Sequence, residues 1–308
     1  MTKAFRELCS ELWAITPDWL QILAALAQRD RSHPMVLGAY KAGEDDMRQP
    51  TPEERFRGLQ YIGAVTRALP GQGSGRAVVA DRVAILPVLG PIFPRANMMT
   101  QSSGATSLAQ AHQDLAAAWA DDSVDSILHV IDSPGGAVSG TSAFADAIYA
   151  GRGRKPMAAY VTGTGASAAY WIASASERIT MNKTALVGSI GVVAGMSKQV
   201  QADKNGDMHI EVVSSNAPNK RVDVTTDEGY AEIRRNLDAI ENHFIADVAR
   251  GRGVKKEQVI ADFGQGGCFV GTEAVSAGMV DAVEGFDAAF LRMARIGKAS
   301  RARQAAGG

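Results

Sequence analysis

Two stretches decide the fold: Ser126-Ile-Leu-His-Val-Ile-Asp-Ser-Pro-Gly-Gly136, and then Met157-Ala-Ala-Tyr-Val-Thr-Gly-Thr-Gly-Ala-Ser-Ala-Ala-Tyr170. Each is an apolar run that ends abruptly in glycine and small residues. Runs such as Ile127–Ile131, apolar but for His129, suit strands covered on both faces rather than half-exposed ones. Between the two lies Gly140–Ala150, with helical spacing. Before them come the strand-like Val83–Leu89, interrupted by Pro87, and an Ala-rich helix over Leu108–Asp121. After them comes a helix over Ala168–Ala175. Strand and helix in strict alternation predict an α/β fold with a largely parallel sheet.

Working outward, 308 residues with 46% apolar content are ample for a core, which excludes wholesale disorder. Lys+Arg 32 against Asp+Glu 33 leaves a net charge of −1, so nucleic-acid binding by bulk charge is not expected. Cys9 and Cys268 cannot make a disulfide framework, and with five scattered histidines no structural zinc site is expected. The longest apolar runs, Ile22–Ala27 and Ala185–Met196, fall well short of the ~20 residues a spanning helix needs. Arg6, Glu7, Glu11 and Asp18 break the N-terminal apolar pattern and argue against a secretory signal. The expectation is a protein without signal peptide or transmembrane segment, kept in a cytoplasm.

Residues 1–78 read as a helical extension and linker. Phe5, Leu8, Leu12 and Trp13 recur at helical spacing, Thr16-Pro17-Asp18 restarts a helix, and Pro52 opens a third one through about Leu69. Pro70–Gly75 reads as the linker. Residues 79–290 form the expected α/β domain. Within it Gly229–Arg250 is an amphipathic helix with Ile233, Leu237, Ile240, Phe244 and Val248 on one face. Residues 291–308 carry Arg292, Arg295, Lys298, Arg301 and Arg303 with no acid, and read as a basic flexible tail.

Chemistry is expected where predicted strands end, because parallel α/β folds build their sites there. Asp132-Ser133-Pro134-Gly135-Gly136 turns the backbone with its amides exposed, as needed to hold a developing oxyanion. Gly163-Thr164-Gly165-Ala166-Ser167-Ala168-Ala169 leads a strand through small residues into a helix, the pattern that lifts a serine hydroxyl out on a sharp turn. A serine needs a base. His129 falls in a buried strand, His112 on the Ala-rich helix, His33 in a polar arm and His243 on the long helix, while His209 follows the turn Asn205-Gly206-Asp207. The alternative base is a neutral lysine, which burial away from carboxylates can produce. Lys220 is the foremost candidate, in a loop after an expected strand over His209–Val213, ahead of Lys155 and Lys183.

Taken in order, Asp-Ser-Pro-Gly-Gly, Thr162–Ala173 and Val187-Gly188-Ser189-Ile190-Gly191-Val192 resemble the signal peptide peptidase A family, in the style of its phage and prophage members that serve head maturation. The resemblance covers about Val83–Val283. It implies a ClpP/crotonase-like β-α-β superhelical core. It also implies Ser167 as nucleophile, Lys220 as general base, Gly135 and Gly136 at the oxyanion hole, and Ser189 in support near the lysine. It further implies no cofactor or metal, a homo-oligomeric ring, and a scaffold or capsid protein as substrate, in the host cytoplasm or a prohead. The chain departs from the family's common pattern in having Ala168-Ala169 after the serine and no glycine shortly before Lys220. Three other readings remain: a Ser–His–Asp hydrolase using His209, an acyl-CoA enzyme sharing the fold, and a capsid-associated structural protein that has lost turnover.

Overall fold

The computed structural model describes residues 12–16, 67–71, 73–96, 104–196, 201–202, 206, 208 and 210–307. In chain order its strands are β1 (Trp13–Ile15), β2 (Arg67–Ala68), β3 (Val78–Ala80), β4 (Val83–Leu89), β5 (Ile92–Phe93), β6 (Thr106–Ser107), β7 (Ser126–Ser133), β8 (Gly135–Ala137), β9 (Met157–Ala166), β10 (Arg178–Met181), β11 (Leu186–Gly188), β12 (Cys268–Val270) and β13 (Ala282–Val283). The helices are α1 (Leu108–Ala120), α2 (Thr141–Ala150), α3 (Ala168–Ser174), α4 (Asp227–Arg252), α5 (Lys256–Asp262), α6 (Thr272–Ser276) and α7 (Phe286–Gly307). The α/β architecture with a largely parallel sheet expected from the alternation is present.

The main sheet runs β12-β11-β9-β7-β4-β3-β2, with β10 and β13 joined at the side of β9. Its centre, β11-β9-β7-β4, is parallel throughout. Helices cover the sheet, so Ile127, Leu128, Val130 and Ile131 are all buried, which is why the run shows no polar alternation. Pro87 is tolerated inside β4 although it cannot donate to the ladder. A second, smaller sheet runs β1-β8-β5-β6. A bulge in β7 between Ile131 and Ser133 bends the chain out of the main sheet, so that Gly135–Ala137 joins the smaller one.

Several sequence expectations need correction. Within the supposed helical extension, Trp13–Ile15 is a strand, although Leu12 and Trp13 fit a helical spacing. Arg67–Ala68 is a strand paired with Val78–Ala80, so the residues between them connect two neighbouring strands instead of linking domains. Ser74 there donates to Asp114 through its backbone N–H and its hydroxyl. The other helices expected in 1–66 lie outside the described residues. The supposed flexible tail belongs to the helix α7, whose Arg292 pairs with Glu284 and whose Arg301 pairs with Asp125 at 3.2 Å. Residues 210–213 form no strand and are largely exposed. On α4 the expected stripe is buried at Phe244 and Val248 but only half-buried at Ile233, Leu237 and Ile240. No helix among the described residues is long and apolar enough to cross a membrane.

His129 sits in the middle of β7, fully buried, edge-on to Phe144 with ring centroids 6.4 Å apart. Neither ring nitrogen makes a well-formed hydrogen bond. Burial drives its pKa down from 6.5 to about 4, and a backbone contact from Ala158 opposes only part of that. Between those two values the unfolded chain binds a proton that the folded chain refuses. Stability therefore falls as pH drops from 6.5 towards 4, by on the order of 3 kcal/mol. Urea midpoints measured across that window should slope for the wild type and flatten in His129→Leu; equal slopes would place the acid sensitivity elsewhere.

Candidate active site

The site forms where β9 ends. Ser167 follows the strand's last residue and precedes α3, with φ 55° and ψ −120°, a region a non-glycine residue enters only under constraint. Two backbone bonds impose the constraint: the Ser167 N–H donates to Gly188 O at 2.7 Å, and its carbonyl accepts from Trp171 N–H at 2.9 Å. Ala166, Ala168 and Ala169 are completely buried, so only small residues fit around the turn. The result is a hydroxyl with no hydrogen-bond partner among the described residues, on a residue only 1% exposed. A buried, unpartnered hydroxyl costs stability, and such costs concentrate at functional sites.

The other end of α3 is held as firmly. Arg152 donates to the carbonyls of Ser174, Ala175, Ser176 and Gly251, which satisfies the helix's free C-terminal acceptors with a cation. Trp171 stacks on Phe244 of α4 with centroids 4.3 Å apart, and its Nε1–H donates to Asp247. The helix that carries Ser167 is thus fixed at its start, middle and end.

Gly135 and Gly136 come to this point from β7. A Cβ on Gly135, at φ 102°, would lie 3.0 Å from Ser167 Cβ and 2.1 Å from Ala14 O. A Cβ on Gly136 would lie 2.0 Å from Ile92 O and 2.5 Å from Ile92 N. Both positions require glycine because backbone approaches from two sides. The Gly135 N–H donates to Ser133 Oγ at 3.2 Å. Gly136 faces Ala14 across the ladder between β8 and β1. Asp132 holds the neighbouring strand end, accepting from Thr164 N–H at 2.9 Å.

Ser189 lies one residue beyond the Gly188 carbonyl that fixes Ser167. It is half-buried, also has a positive φ of 53°, and donates its N–H to Gly267 O. Lys220 is exposed, on the 3-10 turn Pro218–Arg221, and makes no hydrogen bond to Ser167 Oγ. The structure brings the Gly135-Gly136 turn to Ser167, sets Ser189 next to the Gly188 that fixes it, and forms no bond between Ser167 and Lys220. Lys155 donates to the carbonyls of Ala118 and Asp121 at the end of α1, and Lys183 is exposed. Among the histidines, His112 packs against Phe144, His243 is exposed, and His33 and His209 lie outside the described residues.

Beside the site, β1 is wedged between Gly135–Ala137 and Val193, with Trp13 and Val193 exchanging backbone bonds of 3.0 and 2.9 Å. Sequence patterning missed this neighbour. Its one signal was the pairing of an aromatic and a β-branched residue, which favours strands. Next to Val193 a groove of about 500 Å³ opens towards α4, lined by Met196, Tyr230, Ile233 and Leu237 among others. Glu241 on its rim has its carboxyl pushed upward by burial, with Asp238 adding to the effect.

The family description Peptidase family S49 matches residues 150–300, and Clp protease matches residues 93–189. The head-tail preconnector protein GP5 of Enterobacteria phage P21 is 32% identical over 208 residues, covering 66% of this chain and 41% of that protein. Capsid assembly protease C of Escherichia phage lambda is 31% identical over 208 residues, covering 66% and 46%. Protease 4 of Haemophilus influenzae is 26% identical over 233 residues, covering 71% and 35%. The chain thus spans less than half the length of these curated relatives. Both family matches overlap over residues 150–189, which hold the Ser167 turn, and over residues 150–300 the chain is similar to peptidase family S49.

Proposed function

We propose that the chain is a serine peptidase of phage head maturation, cutting a scaffold or capsid protein with Ser167 as nucleophile and Lys220 as general base. The observation that carries this reading is the strained Ser167 turn, whose hydroxyl is buried and unpartnered among the described residues and whose Cβ lies 3.0 Å from the position a Cβ on Gly135 would take. Ser167 Oγ attacks the scissile carbonyl and gives its proton to neutral Lys220. The oxyanion takes hydrogen bonds from amides of the Gly135-Gly136 turn. The Gly135 N–H is occupied by Ser133 Oγ and the Gly136 N–H by the Ala14 carbonyl across the β1–β8 ladder, so the Gly136 amide becomes the donor once β1 is released. The lysine then protonates the leaving amine, and water repeats the sequence on the acyl-enzyme. Ser189 supports the lysine once it arrives.

Lys220 is exposed in the single chain, so the dyad closes only when another copy brings its 3-10 turn to Ser167 or when the loop itself folds in. We favour the first, in a homo-oligomeric ring. The half-buried stripe Ile233, Leu237 and Ile240 supports this by leaving an apolar face on α4 available to a neighbour. The names of the two phage relatives motivate the choice of substrate. The reading is tested by co-expression with candidate phage scaffold and capsid proteins, wild type against Ser167→Ala, with new termini mapped by mass spectrometry. Cleavage that persists in Ser167→Ala would refute it.

A further inference from the structure

The strand β1 is placed as a ligand is placed. It contributes nothing to the main sheet and lies between two backbone edges, Gly135–Ala137 on one side and Val193 on the other. Val138 N–H donates to Leu12 O, and Thr16 N–H donates to Pro134 O. Antiparallel ladders alternate bonded and non-bonded pairs, so the pair midway between these, Ala14 with Gly136, is a bonded one. The Ala14 carbonyl therefore lies on the glycine turn, and the Gly135 Cβ position that it crowds at 2.1 Å is also 3.0 Å from Ser167 Cβ.

The side chains are as closely received as the backbone. Trp13 is 2% exposed and edge-on to Phe93 at 6.0 Å, Ala14 is 0% exposed and Ile15 is 3% exposed. A backbone paired on both sides with buried alternate side chains is how an extended peptide is recognised: main-chain bonds give affinity and side-chain pockets give selectivity.

We propose that Leu12–Thr16 is a substrate mimic held in cis, filling the groove that a substrate segment must occupy. The groove accordingly selects an extended segment with an aromatic residue, then a small one opposite Gly136, then a β-branched one. This rests on Ser167 being the nucleophile. Tethering gives the segment an effective concentration of about millimolar, so an outside peptide competes poorly until the tethered one is released.

The test reads access to residue 167 without needing turnover. In a Cys9→Ser, Cys268→Ser background, Ser167→Cys is treated with methyl methanethiosulfonate. Labelling is expected to be slow in this parent and at least tenfold faster with Ala14→Arg, whose side chain cannot be seated, or with Trp13→Pro, which removes the donor to Val193 O. A peptide spanning residues 10–18 should restore protection in both opened variants, and the same peptide with arginine in place of Ala14 should not. Equal labelling in all three proteins with unchanged circular dichroism overturns the proposal, as does a peptide that protects nothing. Hydrogen exchange in the unmodified chain needs no variant: the amides of Trp13, Val138 and Val193 should open together, well before those of β9. Protection equal to that of β9 also overturns it. With Ser167 intact, failure of the opened Ala14→Arg protein to react with a fluorophosphonate counts against the peptidase reading, whereas unchanged thiol access counts against the mimic.

Discussion

Ser167→Ala yields a folded protein that cuts nothing, with turnover reduced at least about 10⁴-fold, the usual cost of removing a nucleophile from a working unit. The fold has little to lose, because the Ser167 hydroxyl makes no hydrogen bond. Deleting a buried, unpartnered polar group is neutral or mildly stabilising, so the variant should melt at or slightly above the wild type. Lys220→Ala is expected to be as inactive and, lying on an exposed turn, to change stability by less than about 0.5 kcal/mol. Co-refolding the two variants separates the routes by which the lysine arrives. If it comes from a neighbouring copy, mixed rings contain sites with an intact Ser167 beside an intact Lys220, and measurable turnover returns. If it comes from the same chain, every copy lacks one partner and the mixture stays dead.

The second large effect is expected at Gly136. A methyl group there would sit 2.0 Å from Ile92 O and 2.5 Å from Ile92 N, both backbone atoms that cannot swing aside. Gly136→Ala must push β8 away from β5, costing on the order of 3 kcal/mol and several degrees in melting temperature. It also displaces the amide assigned to the oxyanion, so activity and fluorophosphonate labelling should vanish together. Gly285→Ala provides the comparison: nothing lies within 4 Å of its Cβ position, and its stability should stay within about 0.5 kcal/mol of wild type. Equal melting of the two variants would mean that the close approach at Ile92 is not rigid.

Much of the α/β domain was legible because each element has a local cause. Ile127–Ile131 reads as a covered strand from its own composition, and the small residues around Ser167 announce a sharp turn before any partner is known. Trp13–Ile15 was illegible for the opposite reason. Three residues carry no period, and what makes them a strand is Gly135–Ala137 and Val193, far along the chain. The C-terminal segment misleads through charge. Its arginines suggested a solvated tail, yet Arg292 and Arg301 are anchored by Glu284 and Asp125, and a Cβ on Gly297 would lie 2.9 Å from Asp125 Cβ. Patterning can nominate Lys220 by position and residue type, but not the exposed 3-10 turn on which the single chain carries it.

The long sequence separation between Trp13 and its two partners also bears on the order in which the molecule is made. Strands β4, β7 and β9 meet across shorter connections, whereas β1 closes loops reaching to residues 137 and 193. Such contacts carry the larger loop-closure entropy and form late. Every new copy therefore passes through an interval with its sheet assembled and its first strand still loose. During that interval the same segment of another copy is an equivalent guest at a lower effective concentration. Refolding from dilute solution then favours self-insertion, and refolding from concentrated solution favours copies that have exchanged their first strands.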